Sequence, residues 1–345
     1  MRGVSIAGSR SDTATATDVA ADLAAAMRGL GKQLRPGPDP TSAPAMLELL
    51  RALYAIGRRD LPLGRLFEGH VDATQIVLRY GAPAQQRALA DALAAGALLG
   101  VWGAALPGEP LRLEAGRLNG GKAYASGADI CTHALVTADT DDGQQLILID
   151  LAASPPAIDR AWWHTHGMQR SGSHIVRWER SAIAPDQRIG PPDSYAREPW
   201  FSGGALRCAA VQAGGIAALF DHTRAHLLAL GRAGDPHQAG RLAELLRLGE
   251  AAAAPVRRAA EQWFEAPDIA TRLAWVSAAR VAVLDAGERA CLVAEQAVGL
   301  PGRFDTHPIA AAIADLGTYL RQPAPDTQRM RVGEAAAAGL IAPAL

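Results

Sequence analysis

The sequence predicts an α+β fold built from three consecutive parts. These are an N-terminal set of helices, a central antiparallel β-barrel or sandwich, and a C-terminal four-helix bundle. Apolar residues recur at helical spacing up to Gly96, short strand-like runs follow, and helical spacing returns after Pro199. The predicted domains are 1–96, 97–197 and 198–345.

The N-terminal part begins with small, polar residues, and we expect residues 1 to about 18 to be loosely held. A first helix start is indicated by Thr41, Ser42 and Pro44, after which apolar residues follow at helical spacing. A second helix is predicted from about Leu63 to Tyr80. A third is predicted to open at Pro83 and to end at Gly96, where a glycine tolerates a left-handed backbone.

The central part contains short apolar runs without intervening helices, a pattern typical of antiparallel sheets. Turn residues separate the runs, notably at Asn119–Gly121 and Asp141–Gly143. The predicted strands are 98–106, 111–114, 121–126, 131–138, 145–151 and 174–178.

The C-terminal part is predicted to be helical throughout, and long helices with apolar faces pack as a bundle. One helix covers about 203–231. The next opens at Asp235-Pro236, and we expect Pro255 to interrupt or kink it. Asp268 is predicted to cap a long helix that reaches Val298. Two shorter helices follow, from Pro308 and from about Pro325.

The overall composition excludes several classes of function. The 34 basic and 35 acidic residues give a formal charge of −1, so no field favours nucleic acid. The three cysteines are far apart, which fits a reducing cytoplasm better than a disulfide framework. We find no signal peptide, and the longest apolar stretch, from Ala92 to Leu106, is too short to span a membrane.

Histidine pairs are the only metal-like pattern in the sequence. His164 and His166 stand two residues apart, and His222 and His226 share one predicted helix face. No third ligand completes either pair, so we predict no metal site. Motifs for a hydrolase elbow, a P-loop or a Rossmann turn are also missing.

Three stretches resemble the acyl-CoA dehydrogenase superfamily. In the strongest, from Ala294 to Asp315, a glutamine, two turn glycines, a proline and an aspartate occur at the family's spacing; they are Gln296, Gly299, Gly302, Pro308 and Asp315. Leu300 and Ala314 replace a glycine and an arginine of the pattern. The second, from Gly116 to Ala138, places Tyr124, Ala125 and Ser126 where the family has an aromatic, a small residue and a hydroxyl beside the flavin. The third, from Gly167 to Gly190, is similar to the closing strands of the β-domain.

The resemblance implies FAD as the cofactor and a homodimer or homotetramer as the assembly. A flavin ring requires a flat apolar slot with a few hydrogen bonds. By this resemblance the ring would be held by Val101, Trp102, Ala104, Tyr124, Ala125 and Ser126. The pyrophosphate would be held by Arg232 and Gln238, and the nucleotide end by Gln296, Gly299 and Leu300, with Arg207 towards the substrate.

The family's catalytic glutamate is missing from this sequence. Its usual position falls on Pro323, which cannot accept a proton, and the alternative position beside Arg207 has no carboxylate. Asp326 is the nearest acid along the chain and is a weak candidate for a substitute.

Three functions therefore remain open. The first is oxidation of a CH–CH bond in an acyl-CoA or another small acyl substrate. The second is a flavin-dependent monooxygenase, which requires no base for an α-proton. The third is a flavin-binding or scaffold protein without catalysis.

Overall fold

A computed structural model of the protein describes residues 16–322 and 324–343. Most of the predicted loose N-terminus and the position of Pro323 lie outside the described residues. Ten α-helices lie within them: α1 (Ala16–Leu34), α2 (Ala43–Arg59), α3 (Leu61–Tyr80), α4 (Pro83–Ala94), α5 (Trp200–Gly203), α6 (Ala205–Ala229), α7 (Pro236–Glu265), α8 (Ile269–Val298), α9 (Pro308–Tyr319) and α10 (Pro325–Ala337). The predicted helical parts are confirmed.

Side-chain caps set several of the helix starts. Ser42 caps α2 as predicted, its hydroxyl accepting from the Ala45 amide. Asp60 alone separates α2 from α3, and its carboxylate accepts from the Leu63 amide at 3.0 Å. The cap at Asp60 explains why α3 begins earlier than the apolar pattern predicted.

Eight strands form one sheet: β1 (Leu99–Trp102), β2 (Arg112–Glu114), β3 (Arg117–Ala125), β4 (His133–Thr140), β5 (Gly143–Asp150), β6 (Ala157–Asp159), β7 (His174–Ala182) and β8 (Arg188–Ile189). The strand order is β6-β7-β3-β2-β4-β5-β8, with β1 paired to β4. Most pairs are antiparallel, as predicted, whereas β1 and β2 pair with β4 in parallel. The short strands β6 and β8 have too few residues for an apolar alternation to reveal them.

One local prediction was wrong. The predicted turn at Asn119–Gly121 lies inside β3, where a Cβ on Gly120 would stand 2.2 Å from the Pro110 carbonyl oxygen. Gly120 is therefore required because the two backbones approach closely at this point, and it does not form a turn. Of the two outcomes expected at Pro255, an interruption does not occur, because α7 continues to Glu265. Pro255 has no backbone N–H to donate, but the other hydrogen bonds of this 30-residue helix keep it continuous.

Helix α6 lies at the centre of the helical core and joins the N-terminal helices to the bundle. A Cβ on Gly214 would stand 2.1 Å from the Tyr54 carbonyl oxygen, and one on Gly57 would stand 2.3 Å from the Val211 carbonyl oxygen. The backbones of α2 and α6 are therefore in direct contact. The segment Trp200–Ala229 is long and apolar enough to cross a membrane, but 83% of its most apolar window is buried within the protein. Burial of this kind is typical of a core helix.

Candidate active site

A β-bulge near the end of β3 exposes Tyr124. The pairing of β3 with β7 shifts between Lys122 and Ala125, and Tyr124 takes a left-handed backbone with φ 53°. The Tyr124 ring is 51% exposed and stands edge-on to Trp162, with the ring centroids 4.9 Å apart. Bulges of this kind often turn a side chain towards a functional site.

The other residues predicted to line the flavin-binding slot fall into two groups. The side chains of Trp102 and Ala125 are buried in the β core, and Val101 packs against the cluster beneath α3. Trp102 and Ala125 therefore offer only their backbone to a ring, whereas Val101 is half-buried. Ala104 is exposed and presents a methyl group, so the surface beside Tyr124 suits a flat apolar ligand.

Three serine hydroxyls form a chain that ends at Ser126. Ser171 uses its only proton to donate to the Met168 carbonyl, so in its 2.8 Å contact with Ser173 it must accept. Ser173 has then used its own proton, so Ser126 must be the donor in the 2.8 Å contact between Ser126 and Ser173. Each hydroxyl has a single proton. Ser126 is half-buried, and its oxygen therefore offers only lone pairs to a ligand.

Lys122, a buried cation, supports the strand that precedes the slot. Its ammonium donates to the Thr137 hydroxyl at 2.9 Å and to the Gly103 carbonyl at 3.3 Å. Burial lowers the pKa of Lys122, while Asp139 opposes that shift. The lysine fixes the backbone at Gly103 and thereby positions Ala104.

A polar cavity of about 380 Å³ adjoins this region. Gly103 provides the link, because a Cβ there would lie 3.3 Å from the ring of Tyr195, which lines the cavity. Helix α3 forms one wall, and the residues preceding α6 and the start of α10 form the others. The polar lining residues are Arg65, Glu68, Asp72, Tyr195, Ser202, Tyr319, Gln322, Thr327, Gln328 and Arg331.

Glu68 is the buried acid of this cavity. It is 5% exposed, accepts a 2.5 Å hydrogen bond from the Tyr319 hydroxyl, and lies 3.5 Å from the Arg65 guanidinium. Burial raises the pKa of Glu68 above its ordinary value, although Arg65 opposes the shift. A buried carboxyl with a raised pKa is a candidate proton donor or acceptor.

Glu68 and Tyr319 were not predicted from the sequence. The available signal was the recurrence of Arg65, Glu68 and Asp72 on one face of an otherwise apolar helix. Arg207, which was predicted to face the substrate, is buried and forms an ion pair with Asp72. Its charge is therefore already neutralised within the protein.

Arg280 anchors the segment that closes the cavity. It is 1% exposed and donates to the Gln212 side chain and to the Gln322 carbonyl. Gln212 in turn donates to the Tyr319 carbonyl at 2.7 Å. The bundle thus holds the C-terminal end of α9, and with it the hydroxyl that contacts Glu68.

The residues predicted to bind the nucleotide part of FAD lie close to the C-terminus of α8. Gln296 is exposed, Gly299 has φ 74°, and Leu300 is 74% exposed. Gln238 is instead 3% exposed, and its amide donates to the Ala297 carbonyl at 3.2 Å. Arg232 is exposed.

Two further predicted residues lie away from the cavity. Asp326 is 95% exposed at the start of α10, pairs with Arg329 and does not line the cavity. Asp315, matched in the motif, is half-buried and accepts from the Met168 amide at 2.5 Å. Across the described ranges, no group of three or more His, Cys, Asp or Glu residues can hold a metal ion.

Solved flavoproteins share this fold. FMN-bound TdsC from Paenibacillus sp. A11-2 aligns with a TM-score of 0.76 at 18% identity, over 94% of this chain and 97% of its own. Butyryl-CoA dehydrogenase from Megasphaera elsdenii gives 0.74 at 16% identity, over 92% and 89%. Methanesulfinate monooxygenase MsuC from Pseudomonas fluorescens gives 0.74 at 16% identity, over 97% and 99%.

These alignments establish that the chain has the acyl-CoA dehydrogenase-like fold, as the sequence predicted. At this identity the likeness concerns the fold alone. No protein-family model matches the sequence, and no curated protein sequence matches it.

Proposed function

We propose that this protein is a flavin-dependent oxidoreductase that uses FAD and acts on a small substrate in the polar cavity. The observation that carries the proposal is the buried Glu68–Tyr319 pair in a cavity that adjoins the backbone of Gly103. The fold is one in which solved relatives bind FMN or FAD. A flavin supplies hydride or oxygen chemistry that no side chain can provide.

The flavin ring is assigned to the exposed surface around Ala104, Tyr124 and Ser126. Ala104 leaves room for a flat ring, and Tyr124 provides an aromatic edge. The backbone of Val101, Trp102 and Ala125 lines the same region. Gln296, Gly299 and Leu300 are assigned to the nucleotide end, where exposed Leu300 and Phe304 also suit contact with a second subunit of a homo-oligomer.

In the first form of the proposal, the substrate is a small acyl compound, such as an acyl thioester, that is oxidised at its CH–CH bond. Such a reaction requires a base for the α-proton, and Glu68 is the buried carboxyl in reach of the cavity. In this form Glu68 would accept the α-proton, and a bound flavin would supply the hydride acceptor for the β-carbon, so that a Cα–Cβ double bond could form. Cytoplasmic location is part of this proposal.

In the second form, the protein is a monooxygenase that receives reduced flavin. The serine chain supports this form, because Ser126 can only accept a hydrogen bond and reduced flavin offers an extra N–H donor. We expect reduced flavin to bind about tenfold more tightly than oxidised flavin, the value of one good hydrogen bond.

Replacing Ser173 with Ala should abolish that preference, since Ser126 is then free to donate its proton. The measurement is anaerobic titration with oxidised and with reduced FAD, with Ser181→Ala on the same strand, β7, as the control. If the unmodified protein binds oxidised and reduced FAD with equal affinity, the serine chain gives no support to the monooxygenase.

Flavin titration also tests the proposal as a whole. FAD should bind and shift its visible absorbance, and Ala104→Trp should weaken binding at least tenfold because the indole occupies the slot. Ala251→Trp, which alters an exposed alanine on α7 in the helical bundle, is the matched control and should leave binding unchanged. Protein that remains colourless with FAD and with FMN would instead indicate a scaffold without cofactor.

A further inference from the structure

A second cavity, of about 530 Å³, lies on the N-terminal helices away from the candidate active site. Its volume falls within the range of small-molecule pockets, about 300–1,000 Å³. The floor is apolar and includes Met27, Leu93 and Leu98. The rim is formed by α1 and by the residues that follow it.

The rim carries three cations and no acid. Arg28 and Lys32 are four residues apart on α1, and Arg35 follows one turn later, so all three line the same cavity. Within the described residues none of the three forms an ion pair, and no carboxylate lines the cavity. The local charge is therefore positive and uncompensated, which favours an anion.

A buried histidine points its donor into the same space. His70 is 2% exposed, and its Nδ1 accepts from the Leu99 amide at 3.1 Å. Burial lowers the pKa of His70 to about 4, so the ring is neutral and its single proton lies on Nε2. That N–H has no hydrogen-bond partner among the described residues, and its nitrogen is not one of the fully buried unpartnered atoms, so an acceptor in the cavity can reach it.

Gly31 leaves the donor accessible from α1. A Cβ at this position would lie 3.9 Å from His70 Nε2, so a side chain there would stand beside the nitrogen, and glycine leaves that space open. An acceptor that enters between α1 and α3 can thus meet the imidazole N–H and the three cations together.

From this geometry we propose that the cavity binds an organic anion with an apolar body and a carboxylate or phosphate head. The head accepts a hydrogen bond from His70 Nε2 and is neutralised by Arg28, Lys32 and Arg35. The apolar body lies against Met27, Leu93 and Leu98. This site does not depend on the flavin function, since no residue of the candidate active site lines it.

Calorimetric titration of the full chain with octanoate and with octyl phosphate tests the proposal. Both should bind, whereas 1-octanol, which lacks the charge, and inorganic phosphate, which lacks the apolar body, should bind at least tenfold more weakly. Raising the salt concentration should weaken binding of the two anions. Octanol that binds as tightly as octanoate would overturn the proposal.

Two variants assign the binding to this cavity. Arg28→Gln combined with Arg35→Gln should weaken octanoate at least tenfold, while Arg87→Gln combined with Arg224→Gln, two exposed arginines elsewhere, should not. His70→Asn places an amide oxygen where Nδ1 accepts from Leu99 and removes the Nε2 donor. Its ¹⁵N-histidine spectrum identifies the His70 signal, which should shift in the unmodified protein when octanoate is added. Unchanged affinity in the double Arg28/Arg35 variant, or a His70 signal that does not move, would refute the assignment.

Discussion

Replacing Arg280 with Met is expected to lower the free energy of unfolding by about 3 kcal/mol, the cost of leaving buried acceptors without a donor. The substitution removes the two donors to Gln212 and to the Gln322 carbonyl, and methionine supplies none in return. Chemical denaturation followed by far-UV circular dichroism measures the loss.

Arg329→Gln provides the comparison. Arg329 is exposed and pairs with Asp285 at the surface, where an ion pair adds little to stability. We expect its denaturation midpoint to stay close to that of the unmodified protein. A similar midpoint for both variants would mean that the buried contacts of Arg280 do not stabilise the fold.

Glu68→Gln should alter both turnover and the pH dependence of stability. If Glu68 accepts the α-proton, anaerobic bleaching of bound FAD by butyryl-CoA should slow by about 100-fold or more. FAD affinity should be unchanged, because Glu68 lies in the substrate cavity. Unaltered bleaching would remove Glu68 as the base, whereas loss of FAD binding would point to a wider structural effect.

The stability effect follows from the direction of the pKa shift. Burial raises the pKa of Glu68 in the folded protein above the ordinary 4.5, so the folded state keeps a proton that the unfolded state has lost. Stability from this group is therefore complete below 4.5 and is lost as pH rises through the folded-state pKa. Glu68→Gln should remove that decline, and Glu48→Gln, on the exposed face of α2, should keep it. The ionisable groups that face Glu68 are Arg65, Asp72, Tyr195, Arg207, Cys208 and Tyr319.

Helical and strand periodicity predicted the order of the three parts because each part has a continuous apolar face. Local chemistry predicted the Ser42 cap and the turn between β4 and β5, which depend on adjacent residues. Periodicity did not reveal that Gly120 lies inside a strand, since its close neighbour, Pro110, is brought there by the tertiary fold.

The site was less predictable than the fold for the same reason. The positions of Tyr124 and Ser126 follow from a local motif, but the Glu68–Tyr319 contact joins residues 251 positions apart. Arg207 illustrates the converse, because its neighbour Asp72 is far away in the sequence and neutralises it. Residue types and local motifs can be recognised in the sequence. The role of each side chain depends on partners that the fold brings from distant positions.

The close approach of α2 and α6, at Gly57 beside Val211 and at Gly214 beside Tyr54, limits how small molecules enter the protein. Since two helix backbones touch there, α2 cannot slide along α6 without a collision, and α3 follows α2 after a single residue. The wall that bears Glu68 is thus a fixed surface rather than a moving lid. We therefore expect small molecules to enter the cavity from the opposite side. There the exposed Arg331 donates to the hydroxyl of Ser202, and both residues line the cavity.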